Sequence, residues 1–88
     1  MSASFKILYH PDVVNNDIPR LSHPVKARIK NTVETKLSQA PVEYGEPLRK
    51  TLKGYWKLRV GDYRVIYQIK GSNVQIMTIG HRSEVYQS

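Results

Sequence analysis

The chain has no cysteine among its 88 residues. That excludes a disulfide framework, a thiol nucleophile and any cysteine-based zinc site, and it suits a reducing compartment. Histidine is nearly as scarce: His10, His23 and His81 stand at no metal-ligand spacing. No apolar run approaches the roughly 20 residues that cross a bilayer. The opening Met1-Ser2-Ala3-Ser4-Phe5-Lys6 has too short an apolar stretch for a secretory signal. Acidic residues are few, 7 against 14 lysines and arginines, which leaves a net charge of +7. What is present is globular composition, 40% hydrophobic and 24% charged. The length allows one domain, residues 1–88, with a thin core, since a chain this small buries only about 60–65% of its unfolded surface. The expectation is a cytoplasmic, basic domain with no metal or other cofactor, no membrane association and a polyanionic partner.

The charge is unevenly placed. Residues 1–46 carry six basic and five acidic side chains, whereas residues 47–88 carry eight basic and two acidic ones. An asymmetry of this kind marks a binding surface.

Hydrophobic periodicity gives the elements. Ser4 to Tyr9 reads as a first strand. His10-Pro11-Asp12 then opens a short helix carrying Val14, Ile18 and Leu21, interrupted by Pro19. Ser22-His23-Pro24 starts a second helix, in which Val25, Ile29, Val33 and Leu37 recur every four residues. Pro41 ends it, and Pro47 punctuates the following loop. Tyr55–Val60 alternates, with Trp56, Leu58 and Val60 on one face and Tyr55, Lys57 and Arg59 on the other. Gly61-Asp62 is a tight turn. Tyr63–Ile69 places Tyr63, Val65, Tyr67 and Ile69 opposite Arg64, Ile66 and Gln68. Gly71-Ser72-Asn73 turns again into Val74–Ile79, which is mostly apolar and reads as a central strand covered on both sides. The order is β-α-α-β-β-β: an α+β fold, a mainly antiparallel sheet with two N-terminal helices packed on one face.

If the helices cover Trp56, Leu58, Val65 and Tyr67, then Lys57, Arg59 and Arg64 look out from the opposite side. The Gly61-Asp62 turn joins their strands, so these cations converge, and Arg82 just past the last strand is placed to join them. Like charges this close repel, so the cluster lowers stability until it meets an anion. Phosphate fits, because arginine offers it paired hydrogen bonds. Tyr55 and Tyr86 are candidates for stacking on bases. Trp56, Tyr63 and Tyr67 read as core, the two tyrosines with a wet hydroxyl. His81 reads either as a surface or capping histidine or as an acid–base group.

The run Leu52-Lys53-Gly54-Tyr55-Trp56-Lys57-Leu58-Arg59-Val60-Gly61-Asp62-Tyr63-Arg64-Val65-Ile66-Tyr67 resembles the central motif of the RelE/ParE toxin superfamily. The ending Gly80-His81-Arg82-Ser83-Glu84-Val85-Tyr86 is similar to the RelE branch. The resemblance covers about residues 48–87, and the N-terminal half matches in layout alone. It implies the RelE-like microbial ribonuclease fold and the toxin of a type II toxin–antitoxin system. The implied activity is that of a ribosome-dependent mRNA endonuclease cutting A-site codons by metal-free attack of a 2′-hydroxyl. Implied partners are the ribosome, mRNA and an acidic, helical, RelB-like antitoxin. By the same resemblance Arg64 contacts the scissile phosphate. Arg82 stabilises charge or protonates the leaving oxygen. Lys57 supports the phosphate or helps activate the nucleophile. Tyr86 positions or deprotonates the 2′-hydroxyl, or stacks on a base. Lys53 stands where the family often has a basic RNA contact, and Arg49, Lys50 and Arg59 complete the expected RNA-binding set. Tyr55 replaces the first of two lysines that some RelE proteins carry, and His81 is similar to a histidine used in other branches, so both are further catalytic candidates. The first motif is shared with ParE-like toxins, which leaves a DNA gyrase inhibitor, or a catalytically degenerate RNA-binding protein, as alternatives.

Overall fold

Alternation in the C-terminal half builds an antiparallel meander, and the N-terminal strand completes it from the far side. A computed structural model describes residues 4–85. Its strands are β1 (Lys6–Tyr9), β2 (Glu46–Pro47), β3 (Trp56–Val60), β4 (Tyr63–Lys70) and β5 (Asn73–His81). They form one sheet in the order β1-β5-β4-β3-β2. β1 runs parallel to β5, and every other pairing is antiparallel. The mixed α+β class is as expected. The two-residue strand β2 was not anticipated: Glu46-Pro47 carries no strand periodicity, and only its pairing with β3 makes it one.

The helical layer is less regular than the sequence suggests. The first segment is a wide π turn, Val13–Asp17, running into a tight 3₁₀ turn, Ile18–Arg20, where Pro19 leaves one backbone donor fewer. Helix α1 spans His23–Thr32, with Ser22 in extended backbone at its N-cap and Pro24 in its first turn. It continues as a second π turn, Val33–Leu37. A strict four-residue repeat drifts around a helix of 3.6 residues per turn, and the wider turn winds it back. Ile29, Val33 and Leu37 therefore all reach the core. Pro41 does not merely end this helix: it opens a single further turn, α2 (Pro41–Tyr44), and its carbonyl accepts a buried hydrogen bond from the Tyr67 hydroxyl at 2.6 Å.

The core lies between helices and sheet. Val13, Ile29, Val33 and Leu37 pack against Leu58, Val60, Val65, Tyr67, Val74, Ile76 and Ile79. Val74–Ile79 proves to have a different reason for its apolar run than cover on both faces. The β4–β5 register slips between Ile66 and Tyr67, so that Ile66 opposes Thr78 while Tyr67 opposes Ile76. The extra residue, Met77, reverses the parity of the strand. Val74, Ile76 and Ile79 then face the same core despite their uneven spacing.

The opposite sheet face is not bare. Leu48, Ile66 and Val85 form a second, smaller buried cluster there, with Leu52 and Tyr55 partly buried against it. Among the described residues no helix is long and apolar enough to cross a membrane.

Candidate nucleic-acid interface

The Gly61-Asp62 turn sets the geometry of the cation face. It joins β3 to β4 so tightly that Arg59 and Arg64 are direct cross-strand partners. Opposed residues lie about 5 Å apart, so the two guanidinium groups repel, at a cost of some tenths of a kcal/mol. Each is diverted onto an oxygen. Arg64 donates from Nη1 to the carbonyls of Gly61 at 3.0 Å and Tyr63 at 2.9 Å. Arg59 Nε lies 3.4 Å from Glu46 Oε1, in an ion pair exposed on both sides.

Lys57 sits two residues along β3 on the same face, opposite Ile66 on β4 and Glu46 on β2. The sequence places it looking out to solvent, but it is only 9% exposed. The reason is the second cluster, whose members Leu48 and Ile66 flank its stem. No hydrogen bond or ion pair holds it among the described residues. No buried side-chain nitrogen or oxygen among the described residues lacks a partner, so its ammonium is not itself fully buried, and Lys57 lines a pocket. That pocket, about 390 Å³, is lined by Glu46, Pro47, Leu48, Arg49, Lys57 and Arg59.

The chain after β5 returns to the same place. Arg82 is exposed, and its backbone N–H donates to the Asp62 carbonyl at 2.8 Å, on the turn that Arg64 also grips. Gly80, two residues earlier, is the cross-strand partner of Arg64. Arg59, Arg64 and the backbone of Arg82 thus meet at the turn of the β3–β4 hairpin, Lys57 lies two residues along β3 on the same face, and Arg49 lines the pocket with Lys57 and Arg59.

The remaining candidates fall elsewhere. Tyr55 lines a neighbouring groove of about 360 Å³ with Leu48, Leu52, Ile66, Met77, Thr78, Glu84 and Val85. It is half-buried there, not free as an exposed stacking platform. Lys50 and Lys53 are exposed on the loop covering the small cluster, Lys50 in left-handed backbone at φ 57°. His81 pairs with Tyr63 and meets its ring edge to face, centroids 5.5 Å apart, so it sits on the helical side of the sheet, away from Arg64. Its Nδ1 accepts the Ser83 backbone N–H at 3.2 Å and lies 2.8 Å from Ser83 Oγ. A backbone N–H only donates, so Nδ1 is an acceptor and the ring proton is on Nε2. Tyr86 lies outside the described residues.

Glu46 is the group the sequence reading passed over. It is the carboxylate in the pocket that holds Lys57, Arg49 and Arg59. Its only signal in the sequence is a position ahead of Pro47 in the loop, since nothing local announces the pairing of β2 with β3.

Comparison with known proteins gives this architecture a family. The family described as "ParE toxin of type II toxin-antitoxin system, parDE" matches residues 7–86. Toxin RelG of Mycobacterium tuberculosis is 32% identical over 73 residues, covering 81% of this chain and 84% of the relative. Toxin RelE of the same organism is 37% identical over 73 residues, covering 81% and 75%. The crystal structure of the toxin–antitoxin complex RelBE2 from M. tuberculosis superposes with a TM-score of 0.86 at 26% identity, covering 93% of this chain and 95% of that one. A five-stranded sheet capped by helices, with arginines gathered where its central hairpin turns, thus belongs to the RelE/ParE superfamily, and the chain is a RelE-like toxin of a type II toxin–antitoxin system.

Proposed function

We propose that the protein is a ribosome-dependent mRNA endonuclease that blocks translation by cutting the codon in the A site. The observation carrying this reading is the placing of Lys57, Arg59 and Arg64 on one face of the β3–β4 hairpin, with Arg82 tied at its turn and a carboxylate, Glu46, in the pocket that Lys57 and Arg59 line. RNA cleavage by an internal nucleophile needs a proton acceptor, stabilisation of a dianionic phosphorus centre and a proton donor. In this reading the 2′-oxygen–phosphorus bond forms as the phosphorus–5′-oxygen bond breaks, leaving a 2′,3′-cyclic phosphate and a 5′-hydroxyl.

The chemistry of the side chains divides the work. An ionised carboxylate accepts hydrogen bonds and protons, whereas an ammonium only donates. Glu46 therefore takes the 2′-hydroxyl proton better than Lys57 or a tyrosine does. A guanidinium does not release its proton, so Arg64 and Arg82 stabilise charge and Lys57 supplies the proton to the leaving oxygen. Arg49, Lys50, Lys53 and Arg59 hold flanking phosphates. Tyr86, the residue after Val85, retains the stacking or positioning role that the family resemblance gives it. The partner in the cell is an acidic, RelB-like antitoxin, a reading supported by the match of this fold to RelBE2, a toxin–antitoxin complex.

The test is translation of a defined mRNA in vitro with the protein added, followed by primer extension. Cuts inside the A-site codon are expected, absent without ribosomes. Arg64→Ala is expected to lower the cutting rate about 10²–10³-fold, the scale of a lost oxyanion donor. Unchanged translation with no cuts would discard the nuclease and turn attention to supercoiling by purified gyrase, the activity of the ParE-like alternative.

A further inference from the structure

Gly80 is a glycine that its own backbone does not require. Left-handed φ values occur at Gly54, Gly61 and Gly71, not at Gly80, so an L-residue fits the backbone there. What excludes a side chain is Val85. A β-carbon at position 80 would lie 2.8 Å from Val85 Cγ2, and among the described residues nothing else outside its chain neighbours comes within 4 Å. The bare α-carbon is a seat, and a single methyl group fills it.

The residues between them are arranged to reach that seat. The Glu84 and Val85 backbone N–H groups donate to the His81 carbonyl at 2.8 and 3.1 Å. Ser83 is tied to His81 Nδ1, and Arg82 to the Asp62 carbonyl. The turn folds Val85 back onto Ile66 and Leu48, leaving it 8% exposed. Gly80 stands opposite Arg64, and Arg82 leaves the same turn.

We propose that Gly80 and Val85 act as seat and latch for this turn, and that both are positioning residues for RNA cleavage. The latch fixes where Arg82 leaves the sheet relative to Arg64. Neither residue touches the reacting atoms. The proposal rests on the nuclease reading, because the position it fixes matters only if the cation cluster does chemistry. β-Branched valine suits the task, because its two γ-carbons restrict rotation about χ1.

The experiment is a size exchange. Gly80→Ala, Val85→Ala and the double variant are compared with the wild type in two readouts. One is A-site cleavage, measured as maximal rate and as the ribosome concentration giving half that rate. The other is amide hydrogen exchange at Glu84 and Val85 in the free protein. Gly80→Ala is expected to lower the maximal rate about 10–100-fold, the scale of an ångström's misplacement, with the half-rate concentration within about twofold. Exchange at Glu84 and Val85 should rise about tenfold in that variant. The double variant, in which the alanine methyl takes the place of Val85 Cγ2, should recover most of the rate and protection. If Gly80→Ala does not fold, Val85→Ala alone decides, with the same losses expected. Unchanged exchange in the singles overturns the latch. Raised exchange with unaltered cleavage overturns the positioning role. A wild type that cuts nothing removes the nuclease reading and the positioning role together, while the exchange rates still decide whether the seat exists.

Discussion

Glu46 and Tyr67 show at the scale of single residues how differently a carboxylate and a phenol contribute. The Glu46–Arg59 pair is exposed on both sides, and such pairs contribute about 0–1 kcal/mol. Glu46→Gln should therefore barely move the melting temperature. If Glu46 accepts the nucleophile's proton, the same change should slow cleavage about 10²–10⁴-fold. Single-turnover rates measured beside thermal melts separate these effects, and an active Glu46→Gln would shift the proton to another acceptor. Tyr67 is the opposite case. Its hydroxyl is fully buried and donates to the Pro41 carbonyl, and Gly45 has no side chain because a β-carbon there would overlap Tyr67 Oη. Tyr67→Phe leaves that carbonyl unpartnered and should cost about 1–3 kcal/mol. Burial also pushes the Tyr67 hydroxyl well above the ordinary tyrosine range. Burial likewise raises Tyr9 to about 12, helped by the nearby Glu34 carboxylate. In both, the folded state favours the neutral phenol, and the unfolded chain ionises first, near pH 10. Stability is then complete below about pH 10 and falls as pH rises beyond it. Alkaline melts of Tyr67→Phe should show a shallower fall than the wild type, because one of the two contributors is gone.

At the scale of elements, the helical layer depends on the wide turn Val33–Leu37. Leu37 and Val33 are both fully buried, and each packs against the sheet only because that turn restores their common direction. Leu37→Ala should cost about 2–5 kcal/mol, enough to lower the melting temperature by at least about 10 °C in a chain of this size. Calorimetry checks it, and a loss below about 1 kcal/mol would mean that the site collapses around the smaller side chain. The helix was legible in the sequence because four apolar residues repeat every four positions. The π turn was not, because the repeat alone does not say how the backbone accommodates the drift. The same division holds in the sheet. Trp56–Val60 and Tyr63–Lys70 alternate and declare their faces, so Arg59 and Arg64 could be placed together before any coordinates. Val74–Ile79 conceals its faces, because a bulge at Met77 changes parity and bulges leave no periodic trace. β2, the burial of Lys57 and the proximity of Glu46 were equally hidden. All three arise from the return of residues 46–55 across the back of the sheet, a long-range event with no local pattern to announce it.

For the whole molecule the controlling quantity is charge. A net +7 concentrated in residues 47–88 gives a long-range attraction to RNA, and each phosphate that is neutralised releases counterions. The logarithm of affinity for single-stranded RNA should fall linearly with the logarithm of salt concentration, with a slope of about −0.7 for each phosphate contacted. Arg49, Lys50 and Lys53 are exposed, none forms an ion pair among the described residues, and in the proposed mechanism none touches the scissile phosphate. Replacing all three with glutamine should flatten the slope by about two units if each meets a phosphate. The chemical rate at saturating ribosomes should then be largely unchanged. Arg64→Ala should do the reverse, changing the slope by less than one unit while the rate collapses. Arg64 already spends two of its donors on the turn carbonyls and is held in place by them, so its value lies in position more than in net charge. Salt titrations of affinity run beside single-turnover cleavage for both variants resolve the two roles. A pair of variants that loses slope and rate in the same proportion would mean that the cluster only attracts RNA, and that no arginine on this face is placed for the reaction.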